Sequence, residues 1–437
     1  MIEPSPESRS KGEARSAFRK ILRNAGSILL GDAAGQVLIG AAIALAAVRL
    51  GPTGFGVMSE AQAFVEPFDA VAVFGLQQVA ITIAAQRGGA DGTLRGTVLG
   101  LQMILAVFAV VAAIGIALVT GRGRLLPVIA VLCINTLFIP LTTISALAFQ
   151  YDQAMHRLLA VPFVGSVMRF GGAITASRKL NVPIGHVLAY VAGNVTVSLL
   201  TFFSMKRFYP GKLHFDRALA RQLVVIAWPA GVLEFVVMAY SRGSYFFLHS
   251  QGAHAQGEYA AADRLVRPVL SIAGALFMSS LPTVATLAVR RDFETLRRMY
   301  LKTMVRIVQG LVPLMFASWL LASYLLKKVA PEYAGATMPF RILSVGAVFM
   351  CVNQLSTTFV VALGKFRVIM IVALVNLVVY LGLAAVLVPR FAATGAATAT
   401  SIMEAVNTVI QIVIVLALLR SDGRPPQDDG ARAPGLA

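Results

Sequence analysis

Residues Gly96–Val119 read GTVLGLQMILAVFAVVAAIGIALV, a run with no formal charge. A helix rising about 1.5 Å per residue over that length crosses a hydrocarbon core of about 30 Å. Reading outward in windows of about 19 residues, the same pattern recurs along the chain. The predicted helices are 26–48, 57–85, 96–119, 126–148, 158–178, 183–205, 222–248, 258–288, 303–326, 336–362, 366–388 and 393–419. The composition agrees, with 57% hydrophobic residues and a mean hydropathy of +0.77 over 437 residues, where soluble domains stay near about 45–50% apolar. The expected fold class is an all-α polytopic membrane protein of about twelve transmembrane helices.

The connections between spans leave no room for a soluble catalytic domain. Residues 1–24 are polar and basic and lack the apolar core of a cleavable signal peptide. Residues 421–437 are rich in Pro, Gly, Asp and Arg, which predicts a disordered tail. Cys133 and Cys351 sit in apolar stretches far apart and read as small packing residues.

The net charge is +18, and its distribution sets the orientation. Of the 38 Lys and Arg, 24 fall on the side that carries the N-terminus and 8 on the other. By the positive-inside rule both termini are cytoplasmic. The basic loops 206–221 and 290–302 also suit anionic lipid headgroups. Nucleic acid is not an expected partner, because the basic residues lie on short loops without a binding fold.

The chain repeats itself. Gly51-Pro52-Thr53-Gly54-Phe55-Gly56 aligns with Gly252-Ala253-His254-Ala255-Gln256-Gly257, and Glu66-Pro67 falls on Arg267-Pro268 at the same offset. Arg157 matches Arg367 and Gly185 matches Gly395. An even number of helices per half makes the repeats parallel, an arrangement of transporters whose site lies between the halves. The expected organisation is a cytoplasmic N-terminus (1–24), a six-helix lobe (25–205), a cytoplasmic linker (206–221), a second six-helix lobe (222–420) and the tail (421–437). The two pseudo-symmetric lobes would surround a central cavity. Gly51, Gly54 and Gly56 predict a tight outer turn with φ > 0.

Charges inside the apolar stretches are the candidate functional residues. Each costs at least about 2.5 kcal/mol in hydrocarbon, so it marks an internal path or a buried pair. Arg264 and Arg267 are spaced i, i+3 and share a helix face, followed by Pro268. Glu66 and Asp69 have the same spacing around Pro67, so an acidic face in one half answers a basic face in the other. The two faces can pair across the cavity, or the arginines can hold an anionic headgroup. Arginine suits the latter because its planar fork binds phosphate oxygens in bidentate fashion. Arg169 and Arg242 extend the cationic set, while Arg341 near a helix end fits interfacial snorkelling. Asp32, Glu234 and Glu404 read as further buried acids, suited either to a coupling H⁺ or Na⁺ or to pairing with an arginine. Pro67 and Pro268 are the predicted kink points. Gln77, Asn194, Asn353 and Asn407 are among the span amides and read as helix–helix hydrogen bonds. Enzyme signatures are absent: the five histidines lack metal-ligand spacing, and there is no hydrolase elbow or phosphate-binding loop. No metal or organic cofactor is expected.

Several short strings together carry a resemblance. They are Arg49-Leu50-Gly51-Pro52-Thr53-Gly54-Phe55-Gly56, Gly257-Glu258-Tyr259-Ala260-Ala261-Ala262-Asp263-Arg264, and Pro331-Glu332-Tyr333-Ala334-Gly335-Ala336. Leu363-Gly364-Lys365 and Val388-Pro389-Arg390-Phe391, followed by Gly395-Ala396-Ala397, complete the set. Over about residues 20–420 the chain resembles the Wzx-type flippases of the multidrug/oligosaccharidyl-lipid/polysaccharide exporter superfamily. That resemblance implies movement of an undecaprenyl-pyrophosphate-linked oligosaccharide from the cytoplasmic to the periplasmic leaflet by alternating access. It implies an inner-membrane location, membrane lipids as partners, and a polysaccharide polymerase and export machinery beside it. The energy source would be H⁺, Na⁺ or the membrane potential. The alternatives are an ion-coupled multidrug extruder of the same superfamily and a peptidoglycan precursor flippase. A membrane polysaccharide polymerase fits less well, because no outer loop is large.

Overall fold

The computed structural model describes the backbone of residues 6–420 except 88, 153, 159 and 329, and side chains from residue 35 onward apart from a few positions. Every regular element among the described residues is helical. The helices are α1 (Pro6–Val73), α2 (Leu76–Arg87), α3 (Gly92–Val119), α4 (Leu126–Tyr151), α5 (Ala160–Lys179) and α6 (Pro183–Phe208). They continue with α7 (Arg217–Leu248), α8 (Ala253–Val289), α9 (Phe293–Lys328), α10 (Thr337–Ala362) and α11 (Phe366–Arg420). Eight helical stretches among the described residues are long and apolar enough to cross a membrane. They overlap ten of the twelve predicted spans. The other two, 158–178 and 258–288, form α5 and α8.

Three departures from the predicted elements have local causes. The first two spans are joined in α1 across a kink at Gly51 (φ 63°). Of the three turn glycines only Gly51 takes a positive φ; Gly54 and Gly56 lie inside the helix that restarts at Pro52. The predicted span 57–85 is cut in two, because the chain leaves helical geometry at Phe74 (φ 51°) and Gly75 (φ 62°). Pro67 stays inside α1, and α8 runs through Pro268. The last two spans are joined in α11 across Ala392 (φ 46°).

Packing follows the logic of a protein in lipid. On α3 the inward stripe is Val98, Gln102, Ala106, Ala109, Ala113 and Ala117, all fully buried. The opposite stripe carries Ile104, Val107, Phe108 and Val111, the last 65% exposed. Small residues let helices approach, and large apolar ones meet the acyl chains, since lipid gives no hydrophobic drive for burying them.

The described chain divides into two compact units, Met1–Ala260 and Ala261–Ala437. In the first, α7 packs on α1, α2 and α3. Leu76, Ala80, Ala84, Leu94, Val98, Leu147, Leu223 and Ala227 form one of its cores. In the second, α10 packs on α9 and α11, with Tyr300, Leu355, Phe359 and Val415 at the centre of a core. The boundary between these units falls after the first turns of α8. The basic linker is held. His214 N–H donates to the Gly92 carbonyl (3.1 Å) and Asp216 N–H to Thr97 Oγ1 (3.0 Å). Gly92, Gly96 and Gly100 on α3 leave the groove in which residues 212–215 lie.

The repeat also has a physical counterpart inside the first unit. A Cβ on Gly56 would collide with the Ala253 carbonyl, and a Cβ on Gly257 would collide with the Pro52 carbonyl. Both pairs are related by the offset that aligns Gly56 with Gly257 and Pro52 with Ala253. The starts of the two repeat-equivalent helices therefore cross backbone to backbone, which only glycine permits at both positions.

Candidate functional site

The span charges resolve into local arrangements. In the first unit Glu66 on α1 forms an ion pair with Arg242 on α7, whose side chain is 15% exposed. Asp69, one turn on, accepts a hydrogen bond from Thr136 Oγ1 on α4 at 2.6 Å. The acidic face thus has partners on α7 and α4. In the second unit Arg267 pairs with Asp263 one turn earlier on α8 (2.7 Å). Asp263 stands in the sequence only within the string that carries the resemblance, and its i, i+4 spacing to Arg267 is the signal that marks the pair. Arg264 lies on the same helix and is half-buried. Glu404 on α11 accepts from Asn353 Nδ2 on α10 at 2.6 Å. Arg341 stacks on the Trp319 ring, 5.1 Å from its centroid. The Asp32 side chain lies outside the described residues.

Arg169 is surrounded differently. It projects from α5 toward α6, donates to Asn194 Oδ1 and lies 5.8 Å from the centroid of the Tyr190 ring. Gly193 makes room for its stem, since a Cβ there would strike Arg169 Cγ. No carboxylate among the described residues lies within ion-pair distance of it. A neutral amide and an aromatic face orient the guanidinium and leave its charge uncompensated.

Glu234 on α7 is the converse. Its Oε2 accepts the Gly75 N–H at 3.2 Å, at the break between α1 and α2. Beside it Gln102 Nε2 donates to the Val73 carbonyl at 3.2 Å. Gly231 leaves room for the Phe74 ring, and Gly75 packs against Ala230. Sequence reading singled out Glu234 but not Gln102. The signal for Gln102 was present: it is the one strongly polar side chain in the alanine stripe of α3.

A further cluster was not anticipated. Glu60 Oε1 meets His249 Nδ1 at 2.5 Å and Arg122 Nε at 3.5 Å. The Arg122 guanidinium lies between the Phe64 and Phe246 rings, 5.3 and 5.4 Å from their centroids. It ties α1, the turn before α4 and the end of α7 together, using residues that lay in or beside predicted outer turns.

A sequence family described as polysaccharide biosynthesis protein matches residues 47–331. No individual curated protein matches the chain. Among solved structures, an inward-facing multidrug resistance MATE family transporter of the MOP superfamily superposes with a TM-score of 0.71 at 15% identity, covering 89% of this chain and 96% of that one. Lipid II flippase MurJ in an inward closed conformation gives 0.70 at 13%, covering 89% and 87%. A MOP superfamily transporter from Pyrococcus furiosus, described as having a binding pocket of reverse polarity, gives 0.63 at 13%, covering 91% and 95%. At these identities the likeness establishes a shared fold, that of a multi-pass helical membrane protein.

Proposed function

The chain belongs to the polysaccharide biosynthesis protein family, and we propose that it moves undecaprenyl-pyrophosphate-linked oligosaccharide from the cytoplasmic to the periplasmic leaflet of the inner membrane. The observation that carries this reading is Arg169, a cation in the predicted span 158–178, oriented by Asn194 and Tyr190 and with no acid among the described residues at ion-pair distance. A pyrophosphate is anionic and needs a cationic partner away from water, and a guanidinium with free donors supplies one. An organic cation would be repelled there. Arg242, Arg264 and Arg267 are the further headgroup contacts in this reading, with Glu66 and Asp263 orienting two of them. The lipid tail stays in the bilayer while the head crosses. An inside-negative potential assists outward movement of the anion by about 2.3 kcal/mol per charge per 100 mV. Alternating access flexes the helices near Pro67 and Pro268, both termini are cytoplasmic, and the product passes to a polymerase on the outer face.

The test uses cells that lack the protein and retain the initiating sugar transferase. Lipid-linked oligosaccharide accumulating in the cytoplasmic leaflet, with loss of surface polysaccharide, is the expected result. Unchanged lipid-linked sugars with new sensitivity to cationic drugs would identify an extruder instead. A strict requirement of the gene for growth would point to the peptidoglycan precursor.

A further inference from the structure

We propose that the break between α1 and α2 is a Na⁺ site built from Glu234, Gln102 and the carbonyl end of α1. The chain is non-helical at Phe74 and Gly75 within a stretch that is otherwise long and apolar enough to cross a membrane. Backbone groups freed at such a depth must be satisfied from within the protein. Two are: Gly75 N–H by Glu234, and the Val73 carbonyl by Gln102.

Two oxygens remain. Gln102 is fully buried, and its Oε1 has no hydrogen-bond donor among the described residues. The amide cannot be flipped to relieve this, because Nε2 is committed to the Val73 carbonyl. Glu234 has no Lys, Arg or His within ion-pair distance among the described residues, and its Oε1 takes no hydrogen bond there. Glu60, Glu66 and Asp263 each have a cationic partner; Glu234 has one backbone N–H. Burying the Gln102 Oε1 acceptor without a donor is unfavourable. The two oxygens belong to side chains anchored two residues apart, the half-buried Glu234 at Gly75 and the buried Gln102 at Val73, beside the end of α1, where helix carbonyls carry partial negative charge. The place has an excess of acceptors and lacks a cation. One carboxylate with neutral oxygens fits a hard monovalent ion, whereas a divalent ion calls for more acidic ligands. Discontinuous membrane helices supply ion ligands of this kind in secondary transporters. The left-handed Phe74 adds backbone strain at the same point, which an ion ligated there would help to hold.

A coupling role for this ion rests on the transporter reading; its binding does not. The experiment is thermal unfolding of the purified full-length protein in detergent, followed by tryptophan fluorescence. NaCl is titrated against choline chloride at constant ionic strength. The expected result is saturable stabilisation by Na⁺ alone. Half-saturation should weaken at least about tenfold in Glu234→Gln, from loss of the charged ligand, and tighten in Gln102→Glu, which adds a second carboxylate. Equal behaviour in Na⁺ and choline would overturn the proposal, as would a Na⁺ response unchanged in Glu234→Gln. Should that variant fail to fold, an unchanged half-saturation in Gln102→Glu overturns it too. Stabilisation by acid without any Na⁺ response would assign the group to a proton and also refute the site. Intact Na⁺ binding in a protein that flips no lipid-linked sugar would sink the flippase reading alone.

Discussion

Replacing Arg169 by Gln removes a charge that no described carboxylate balances, so the fold should tolerate it better than the cargo does. The expected outcome is normal amounts of protein in the membrane with translocation reduced at least about tenfold, since charge-assisted contacts to phosphate are the strong ones. Arg169→Lys should not restore it, because a point charge lacks the planar fork. Leaflet analysis of lipid-linked sugars in complemented cells checks both. The Glu66–Arg242 pair should behave in the opposite way. Glu66→Gln or Arg242→Met alone should destabilise by about 1–3 kcal/mol, less than a fully buried pair because Glu66 is partly exposed. The double variant should recover part of the loss in a denaturation cycle. The identity of these residues was legible in the sequence because charge in an apolar run stands out. Their partners were not. The i, i+3 spacing shows that Glu66 and Asp69 share a face, but what that face meets depends on how α7 and α4 pack.

At the scale of elements, small residues and polar caps decide more than hydropathy does. The groove of Gly92, Gly96 and Gly100 predicts that Gly96→Val will lift the linker off α3, since a side chain there runs into the His214 backbone. Limited trypsin digestion at Lys212 should become faster in that variant. Gly75→Ala should destabilise by about 1–3 kcal/mol, because it adds a left-handed alanine whose Cβ lies 2.7 Å from that of Ala230. At the start of α9 the Asp292 carboxylate is held below its ordinary value of 3.8 by hydrogen bonds from the Thr295 side chain and backbone. A depressed folded pKa means that this cap contributes fully above the unfolded value and loses its contribution as the pH falls from there through the lower folded value. Protection of the first-turn amides of α9, taken relative to their intrinsic exchange rate, should therefore fall under acid, and Asp292→Asn should remove that dependence. The break at Phe74–Gly75 was not legible, because Pro67 was the stronger local signal. A proline deletes one backbone hydrogen bond and can remain within a helix, whereas two successive left-handed residues end one.

For the whole molecule, helix number and class were legible because a bilayer imposes its thickness on the sequence as a run length. The close backbone crossing of residues 52–56 with 253–257 was not, because the repeat aligns the two turns without saying that they touch. The crossing of residues 52–56 with 253–257 makes a prediction at this scale. Gly56→Ala and Gly257→Ala each force the two backbones apart. Their effects on thermal stability should be markedly less than additive, because once one side chain has opened the crossing the other finds space.

That crossing has a consequence for ancestry. A patch that mates with its own repeat-equivalent is self-complementary in the way an isologous dimer interface is. A single half-length precursor carrying one such turn would have possessed both faces of the contact, and two copies would have met through it about a twofold axis. Duplication and fusion of that gene would then have joined subunits that already recognised each other, leaving each glycine to be preserved for the sake of its twin.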